Sequence, residues 1–191
     1  GVLAWNGASI TLIGAKTTVH HNCTRGGRGA NGLQVIGSPS STIQLLSPLT
    51  KETVSTDNGG GGNWGATENG YVKQIKDITA TTLAVAKKAL ATGTVRVPDD
   101  CKTLVEAMDA VGAVGAVKTM TNHHSRISIV LGEGEHQIDQ IDGDCLMVCS
   151  AVRIVGVSNV PKEKVVVLGG FWFTSGIQGN CHLQHMTLCP E

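Results

Sequence analysis

The sequence predicts an all-β fold, built as stacked coils of short parallel strands, and three observations point to it. Glycine supplies 25 of the 191 residues, well above the usual share of about 7%. The aromatic residues are only 3 Trp, 2 Phe and 1 Tyr, so the core must be aliphatic. Short β-branched segments that end in glycine recur about every 23 to 24 positions, which predicts a regular return of the chain to the same place.

The repeat is clearest where strand-like segments end in Ile-Gly or a similar pair. Residues 9–14 align with residues 32–37. In the second half, the segment 128–132 aligns with 153–156, so that Ile129 matches Arg153. A further strand-like segment follows at residues 165–169. A leucine-rich repeat has a similar period but needs a consensus run that is absent, and a β-sandwich does not repeat Ile-Gly at a fixed offset. The apolar burial within one coil stabilises it by less than the conformational entropy that ordering the coil costs, so neighbouring coils must pair.

Two helices interrupt the strand pattern. Apolar residues recur at helical spacing from Leu104 to Val111, with Asp99 and Asp100 suited to the N-cap and first turn and Gly112 predicted to end the helix. Such a helix before the first strand would cover the open end of a coil stack. A second helix is predicted over residues 76–92.

The order of these segments resembles a known family. Residues 94–98, the helix, the strand at 127–131, the turn Gly132-Glu133-Gly134-Glu135-His136 and the strands at 153–156 and 165–170 resemble the opening of a right-handed parallel β-helix of the pectin-lyase-like superfamily. The chain is also similar to uncharacterised right-handed β-helix repeat proteins of unicellular algae. The resemblance implies a right-handed parallel β-helix solenoid, with a short capping α-helix and one further helix in the connecting segment.

The resemblance divides the chain into three parts. Residues 1–46 resemble later β-helix coils, residues 47–93 hold a Gly-rich loop and the connecting helix, and residues 94–191 hold the capping helix and first coils. The parts form either two solenoids joined through the Gly-rich stretch at 58–63, or one permuted solenoid. We prefer the permuted solenoid, which requires strand pairing between residues 8–13 and 181–188.

Charge and composition narrow the classes of partner. The 15 basic and 15 acidic residues balance, so we expect that neither a nucleic acid nor an anionic membrane surface is a partner. We expect any partner to be bound through shape complementarity and uncharged surface. No apolar run is long enough for a transmembrane segment, and the start lacks a signal-peptide pattern, so we expect a soluble chain of unknown compartment. The six cysteines are expected to be mostly buried thiols, with one or two disulfides left open.

No catalytic residue or cofactor is predicted. Pectin-lyase-like enzymes bind polysaccharide along a sheet groove that carries acids, sometimes Ca²⁺, and Arg or Lys. This chain lacks the W-x-D-H, R-x-P-x-x-R and G-x-x-D-F patterns and the N-x-D, G-H-G and R-I-K set. Two functional classes stay open: a non-catalytic scaffold that engages a protein or glycan through a flat sheet face, including a structural subunit of an assembly, and a degenerate polysaccharide lyase, hydrolase or epimerase.

Acidic residues and histidines supply the metal candidates. Five carboxylates with one histidine could hold a hard cation: Glu133, Glu135, Asp139, Asp142, Asp144 and His136. A zinc site is conceivable where stacking gathers histidines near a cysteine, and the candidates are His182 and His185 beside Cys181, His123 and His124, and His20 and His21 beside Cys23. For each of these residues, the alternative to a metal ligand is an ordinary acid in a solvated turn or an ordinary histidine in a strand or turn.

Aromatic residues supply the binding candidates. Trp5, Trp64, Trp172 and Tyr71 could stack on sugar rings if they are exposed, and otherwise pack in the core or anchor loops.

Overall fold

The computed structural model describes residues 1–22, 31–37, 41–67, 75–118, 127–138, 145–148, 150–174, 177 and 179–189, with the side chains at 66–67 and 115–118 excepted. These residues form mainly short strands, with three α-helices, which confirms the all-β class. The chain divides into two compact units, Gly1–Ala80 and Thr81–Glu191.

Unit 1 is made of three parallel sheets. Its elements are β1 (Val2–Trp5), β2 (Ser9–Leu12), β3 (Val19–His20), β4 (Asn31–Ile36), β5 (Thr42–Leu46), α1 (Lys51–Val54), β6 (Ser55–Thr56), β7 (Gly62–Thr67) and β8 (Ile75–Ile78). Sheet A has the order β1-β4-β7, sheet B has β2-β5-β8 and sheet C has β3-β6. The chain therefore visits sheets A, B and C in turn and then returns to sheet A.

The register in unit 1 corrects the predicted repeat. Val2 lies beside Leu33 and Ile10 beside Ile43, so in these two sheets the chain returns after a longer stretch than the predicted period. The predicted alignment of residues 9–14 with 32–37 is wrong because the first segment belongs to sheet B and the second to sheet A. The Ile-Gly pair follows or ends a strand in both sheets, so it indicates where a strand ends but not which sheet the strand belongs to.

The segment from 47 to 78, predicted as a Gly-rich loop and the start of the connecting helix, holds α1, β6, β7 and β8 instead. The helix predicted over 76–92 is α2 (Ala80–Thr92). Strand β8 replaces its first turn because Ile75 and Ile78 are buried in sheet B.

The glycine-rich turn itself is held by the side chain of Asn58. The Nδ2 atom donates to the carbonyls of Val19 and Thr56, both at 2.9 Å. The Oδ1 atom accepts from the backbone N–H of Asn22 at 3.0 Å, and the Asn58 backbone N–H donates to Asn63 Oδ1 at 3.0 Å. The neighbouring strand makes room for this side chain at Gly32, where a Cβ atom would collide with it. Side-chain hydrogen bonds of Asn58 therefore connect the glycine-rich turn to the neighbouring strands.

Unit 2 repeats the arrangement. After β9 (Thr94–Val97) and α3 (Leu104–Lys118) come β10 (Ser128–Leu131), β11 (Gly134–Gln137), β12 (Cys145–Val148), β13 (Arg153–Gly156), a 3₁₀ turn (Lys162–Lys164), β14 (Val165–Leu168), β15 (Gly170–Phe173), β16 (His182–Gln184) and β17 (Thr187–Cys189). Sheet D has the order β9-β10-β13-β16, sheet E has β11-β14-β17 and sheet F has β12-β15, all parallel.

The predicted match between residues 128–132 and 153–156 is confirmed as a strand pair, although its register is shifted by one position. Arg153 lies beside Ser128 and not beside Ile129. The register places Val95, Ile129 and Ile154 in one inward column, and all three are fully buried. This aliphatic column forms the core side of sheet D.

Helix α3 differs from its prediction at both ends. The N-cap is Thr103, whose Oγ1 accepts from the Glu106 backbone N–H at 3.1 Å, while the Glu106 carboxylate accepts from the backbone N–H of Lys102 at 2.8 Å. The helix continues through Gly112 to Lys118 because its buried face continues, with Ala113 and Val114 both buried. The helix contacts β9, the edge strand of sheet D.

The predicted capping residue Asp100 instead closes the turn after β9. Its Oδ2 accepts from the backbone N–H of Arg96 at 2.8 Å, and its Oδ1 accepts from Lys88 Nζ in α2. The Lys88 hydrogen bond, supported by the Arg96 backbone N–H, lowers the pKa of Asp100 despite the opposing effect of its burial.

The permuted single solenoid required pairing between residues 8–13 and 181–188. Strand β2 pairs with β5, β16 pairs with β13, and β17 pairs with β14. Each sheet of the described residues draws its strands from one unit. The strand pairing therefore gives the permuted arrangement no support.

The cysteines that the structure describes are less buried than expected. Of the four described, all are free thiols and only Cys101 is buried, while Cys145 is exposed and Cys181 and Cys189 are half-buried. Burial raises the pKa of Cys101 to about 11. Within the described part of the chain, no helix has the length and apolar character needed to cross a membrane.

Candidate binding face on sheet D

The outer face of sheet D carries two columns of polar and aliphatic side chains. Alternation along β9 buries Val95 and Val97, so Thr94 and Arg96 face outward. The strand registers continue both columns across β10, β13 and β16. One column is Thr94, Ser128, Arg153 and His182, and the other is Arg96, Val130, Val155 and Gln184.

Two depressions of about 440 and 450 Å³ lie on this face. Arg153 and Gln184 line both, so the depressions adjoin along the sheet. Arg96 lines the first, together with Ser158 and Asn159. Among the described residues, neither lining contains an Asp or a Glu.

The two guanidinium groups give the face its charge. Arg153 Nη2 donates to Gln184 Oε1 at 3.3 Å, which holds this guanidinium along the sheet. Asp100 accepts hydrogen bonds from Lys88 Nζ and from the Arg96 backbone N–H, and it also lies close enough to interact with the Arg96 charge. The lining therefore offers two cationic groups to whatever binds there.

The turn after β16 contributes His185 to the lining of the first depression. His185 has a left-handed φ of 58°, and its ring Nε2 donates to the Val160 carbonyl at 2.7 Å. The backbone carbonyl of His185 occupies the space that a Cβ atom would fill at Gly156. Gly156 is thus required for this turn to approach β13.

The acidic candidates that the structure describes, Glu133 and Glu135, do not form a metal site with His136. Glu133 is exposed and pairs with Lys164 at 3.0 Å, and Glu135 is exposed on β11. His136 is buried away from both, with its Nε2 donating to the Gly132 carbonyl at 3.0 Å. Three further candidates lie outside the described residues: Asp139, Asp142 and Asp144.

Two of the histidine candidates, His182 and His185, lie in different places. His182 is exposed on sheet D and lines the second depression. His185 lines the first depression, and its ring donates to the Val160 carbonyl. Nowhere in the described residues do three or more His, Cys, Asp or Glu side chains come together in a form that could hold a metal. His123, His124 and Cys23 lie outside the described residues.

The aromatic candidates lie on different faces. Trp5 is 59% exposed and its ring lies over Gly37, on the outer side of sheet A. Trp64 is 38% exposed at the edge of the same sheet, beside the buried Leu33 and therefore on the inner side. Trp172 is 49% exposed in unit 2, and Tyr71 lies outside the described residues. Trp5 and Trp64 therefore do not form one sugar-stacking platform.

Sequence reasoning did not single out Arg96, Arg153 or Gln184. The signal was present in part, because Arg96 and Arg153 each occupy a polar position in a strand of alternating pattern. Alternation alone does not show that two strands so far apart in the sequence share one sheet.

Comparison with known proteins gives no independent assignment, since no protein-family model, curated protein or solved structure matches the chain.

Proposed function

We propose that this protein is a non-catalytic scaffold that binds an acidic polysaccharide along the outer face of sheet D. The observation that carries the proposal is the presence of Arg96 and Arg153 on a face whose described lining contains no carboxylate. Guanidinium groups bind carboxylates and sulfates through paired, charge-assisted hydrogen bonds. A ligand that carries negative groups at intervals would bind both guanidinium groups.

We also propose that each unit is a right-handed parallel β-helix. The support is the order in which the chain visits three parallel sheets and returns to the first, together with the general right-handedness of parallel crossovers. In unit 2, the contact of α3 with the edge strand β9 supports a capping role for this helix. Such a fold presents the outer face of each sheet as a flat surface.

The character of the face favours a glycan over a protein. Protein interfaces are anchored by buried aromatic residues, and neither depression has an aromatic residue of the Phe, Trp or Tyr type among its described lining. The lining instead supplies hydroxyl and amide groups from Ser128, Asn159, Asn180 and Gln184, which suit hydrogen bonds to sugar hydroxyls.

A binding role is also favoured over a degenerate enzyme. The sequence argument for an enzyme required converging acids beside an Arg or Lys, because glycoside hydrolysis typically uses a pair of carboxylates. The two described linings supply the arginines without the acids. The chemistry available to this face is therefore attraction and orientation of an anion.

The positions of the two arginines set the ligand length. Arg96 on β9 and Arg153 on β13 lie two strands apart and in different columns, so their Cα atoms are roughly 12 Å apart. A single acidic sugar carries one carboxylate, whereas a chain of such sugars can offer one carboxylate to each guanidinium group. We expect affinity to rise steeply from the monosaccharide to the trisaccharide.

The test is a calorimetric titration of the full chain with galacturonic acid, its trimer and a neutral galactose trimer. The acidic trimer should bind, and Arg96→Ala and Arg153→Ala should each weaken that binding at least tenfold. Lys87→Ala removes one exposed positive charge in α2 and serves as the matched control, with less than a twofold change expected. The proposal would be overturned if the acidic and neutral trimers bound equally well, or if both arginine variants bound the acidic trimer with wild-type affinity.

A further inference from the structure

Two adjacent histidines in unit 1 face each other through the same ring atom. His20 Nδ1 and His21 Nδ1 are 2.6 Å apart, and the two rings meet edge to face with centroids 4.9 Å apart. This is the distance of an N–H···N hydrogen bond, in which one neutral ring donates from its Nδ1 and the other accepts. When the donating ring carries its proton on Nε2 instead, both Nδ1 lone pairs are free to bind a metal ion in its place.

The backbone around the pair is fixed, so the rings start from a defined position. His21 has a left-handed φ of 54°, and the Asn22 side chain donates to the His20 carbonyl at 3.0 Å. Asn58 in turn accepts from Asn22 and donates to the carbonyl of Val19. Hydrogen bonds thus hold the chain on both sides of the pair.

The imidazole rings are not needed to build this corner. His20 lies beside Thr56 in sheet C, and the residue that follows each has a left-handed φ, 54° at His21 and 52° at Asp57. The second round of the chain therefore makes a comparable corner with Thr and Asp. This leaves a role for the histidine side chains other than folding.

We propose that His20 and His21 bind one divalent transition-metal ion of the Zn²⁺, Ni²⁺ or Cu²⁺ class through their two Nδ1 atoms. Imidazole nitrogen is a preferred ligand for these ions. With metal–nitrogen distances of about 2.0 to 2.1 Å, two ligands at a right angle lie about 2.9 Å apart, and two ligands at the tetrahedral angle of Zn²⁺ lie about 3.3 Å apart. Both side chains are exposed, so the rings can separate by the roughly 0.3 to 0.7 Å required, and water completes the coordination.

The test uses the full chain and Zn²⁺ alone as the probe, with long-range ¹H–¹⁵N NMR spectra of the histidine rings and a calorimetric titration. Zn²⁺ should shift the Nδ1 resonances of both His20 and His21. The variants His20→Thr, which copies Thr56, and His21→Asn, which suits the left-handed φ, should each weaken binding at that pair at least tenfold. The control His182→Asn removes an exposed histidine from sheet D and should leave binding at that pair within twofold.

Two results would overturn the proposal: Zn²⁺ shifts at Nε2 and not at Nδ1, or unchanged Nδ1 shifts at saturating Zn²⁺. Far-UV circular dichroism of the variants shows whether they fold. If a variant fails to fold, the wild-type Nδ1 shifts decide the question alone.

Discussion

At the scale of single residues, Asn58 connects three parts of unit 1: β3, β6 and the glycine-rich turn. We expect Asn58→Ala to lower the free energy of unfolding by about 2 to 4 kcal/mol, because the backbone carbonyls of Val19 and Thr56 lose their donor. Urea denaturation followed by circular dichroism measures the change. Asn159→Ala, at an exposed position of unit 2, should change stability by less than about 0.5 kcal/mol.

The carboxylate of Asp100 gives unit 2 a pH-dependent contribution to stability. Its pKa is lowered in the folded chain, chiefly by Lys88, so its contribution is complete above the ordinary value of 3.8 and is lost as the pH falls through the folded pKa. Asp100→Asn should therefore cost about 1 kcal/mol at pH 7 and progressively less as the pH falls below 4. Lys88 is 61% exposed, which keeps this value low.

Denaturant midpoints of the wild type and of Asp100→Asn, measured from pH 7 down to pH 3, test this expectation. Asp99→Asn, at the exposed neighbouring acid, is the matched control, because it removes one carboxylate and leaves the hydrogen bonds of Asp100 in place. A gap between wild type and Asp100→Asn that widens in acid would contradict the assigned role.

At the scale of elements, α3 shows how a local signal can be hidden by a stronger one nearby. Two aspartates precede the helix, but Asp100 is committed to the turn after β9. The true cap lies further along, in Thr103-Leu104-Val105-Glu106, where Thr and Glu stand at the spacing of a capping box. Both patterns were in the sequence, and only tertiary contacts decided between them.

Thr103→Ala should destabilise unit 2 by about 1 kcal/mol, because the first turn of α3 loses its side-chain acceptor. Thermal or urea unfolding provides the measurement. Thr81→Ala, at an exposed position in the first turn of α2, makes the same change inside a helix and not at its cap, and should be neutral or slightly stabilising. Equal losses in the two variants would mean that Thr103 does not act as a cap.

Strand existence was predictable from the sequence, but strand pairing was predictable only in part. The segments at 128–131 and 153–156 pair because both belong to sheet D. The segments at 9–14 and 32–37 look as similar but lie in different sheets. Strand β7, with glycine at 62 and 65, carries almost no strand signal, so its pairing with β4 is a tertiary effect.

At the scale of the whole molecule, the neutral composition conceals a local charge. The equal number of acidic and basic residues predicts an uncharged contact surface, yet sheet D gathers Arg96 and Arg153 on one face. Net charge reports long-range attraction, whereas binding of a carboxylate depends on a few groups at contact distance. The candidate site could therefore not be inferred from composition, and required the register of sheet D.

The sequence-based site candidates were chosen by residue type, and the fold distributes them over separate surfaces. His136 is buried, Glu133 is paired with Lys164, and Trp64 lies on the inner side of sheet A. Of these candidates, His182 lies in one of the two outward columns of sheet D. The columns combine strands that are far apart in the sequence, which is why no single motif revealed them.

A crystal structure of the protein with a bound acidic trisaccharide tests the central claim most directly. The account predicts that the sugar lies along the outer face of sheet D, with its carboxylates within hydrogen-bond distance of the guanidinium groups of Arg96 and Arg153. A sugar bound elsewhere, such as on the exposed ring of Trp5, with sheet D empty, would contradict it.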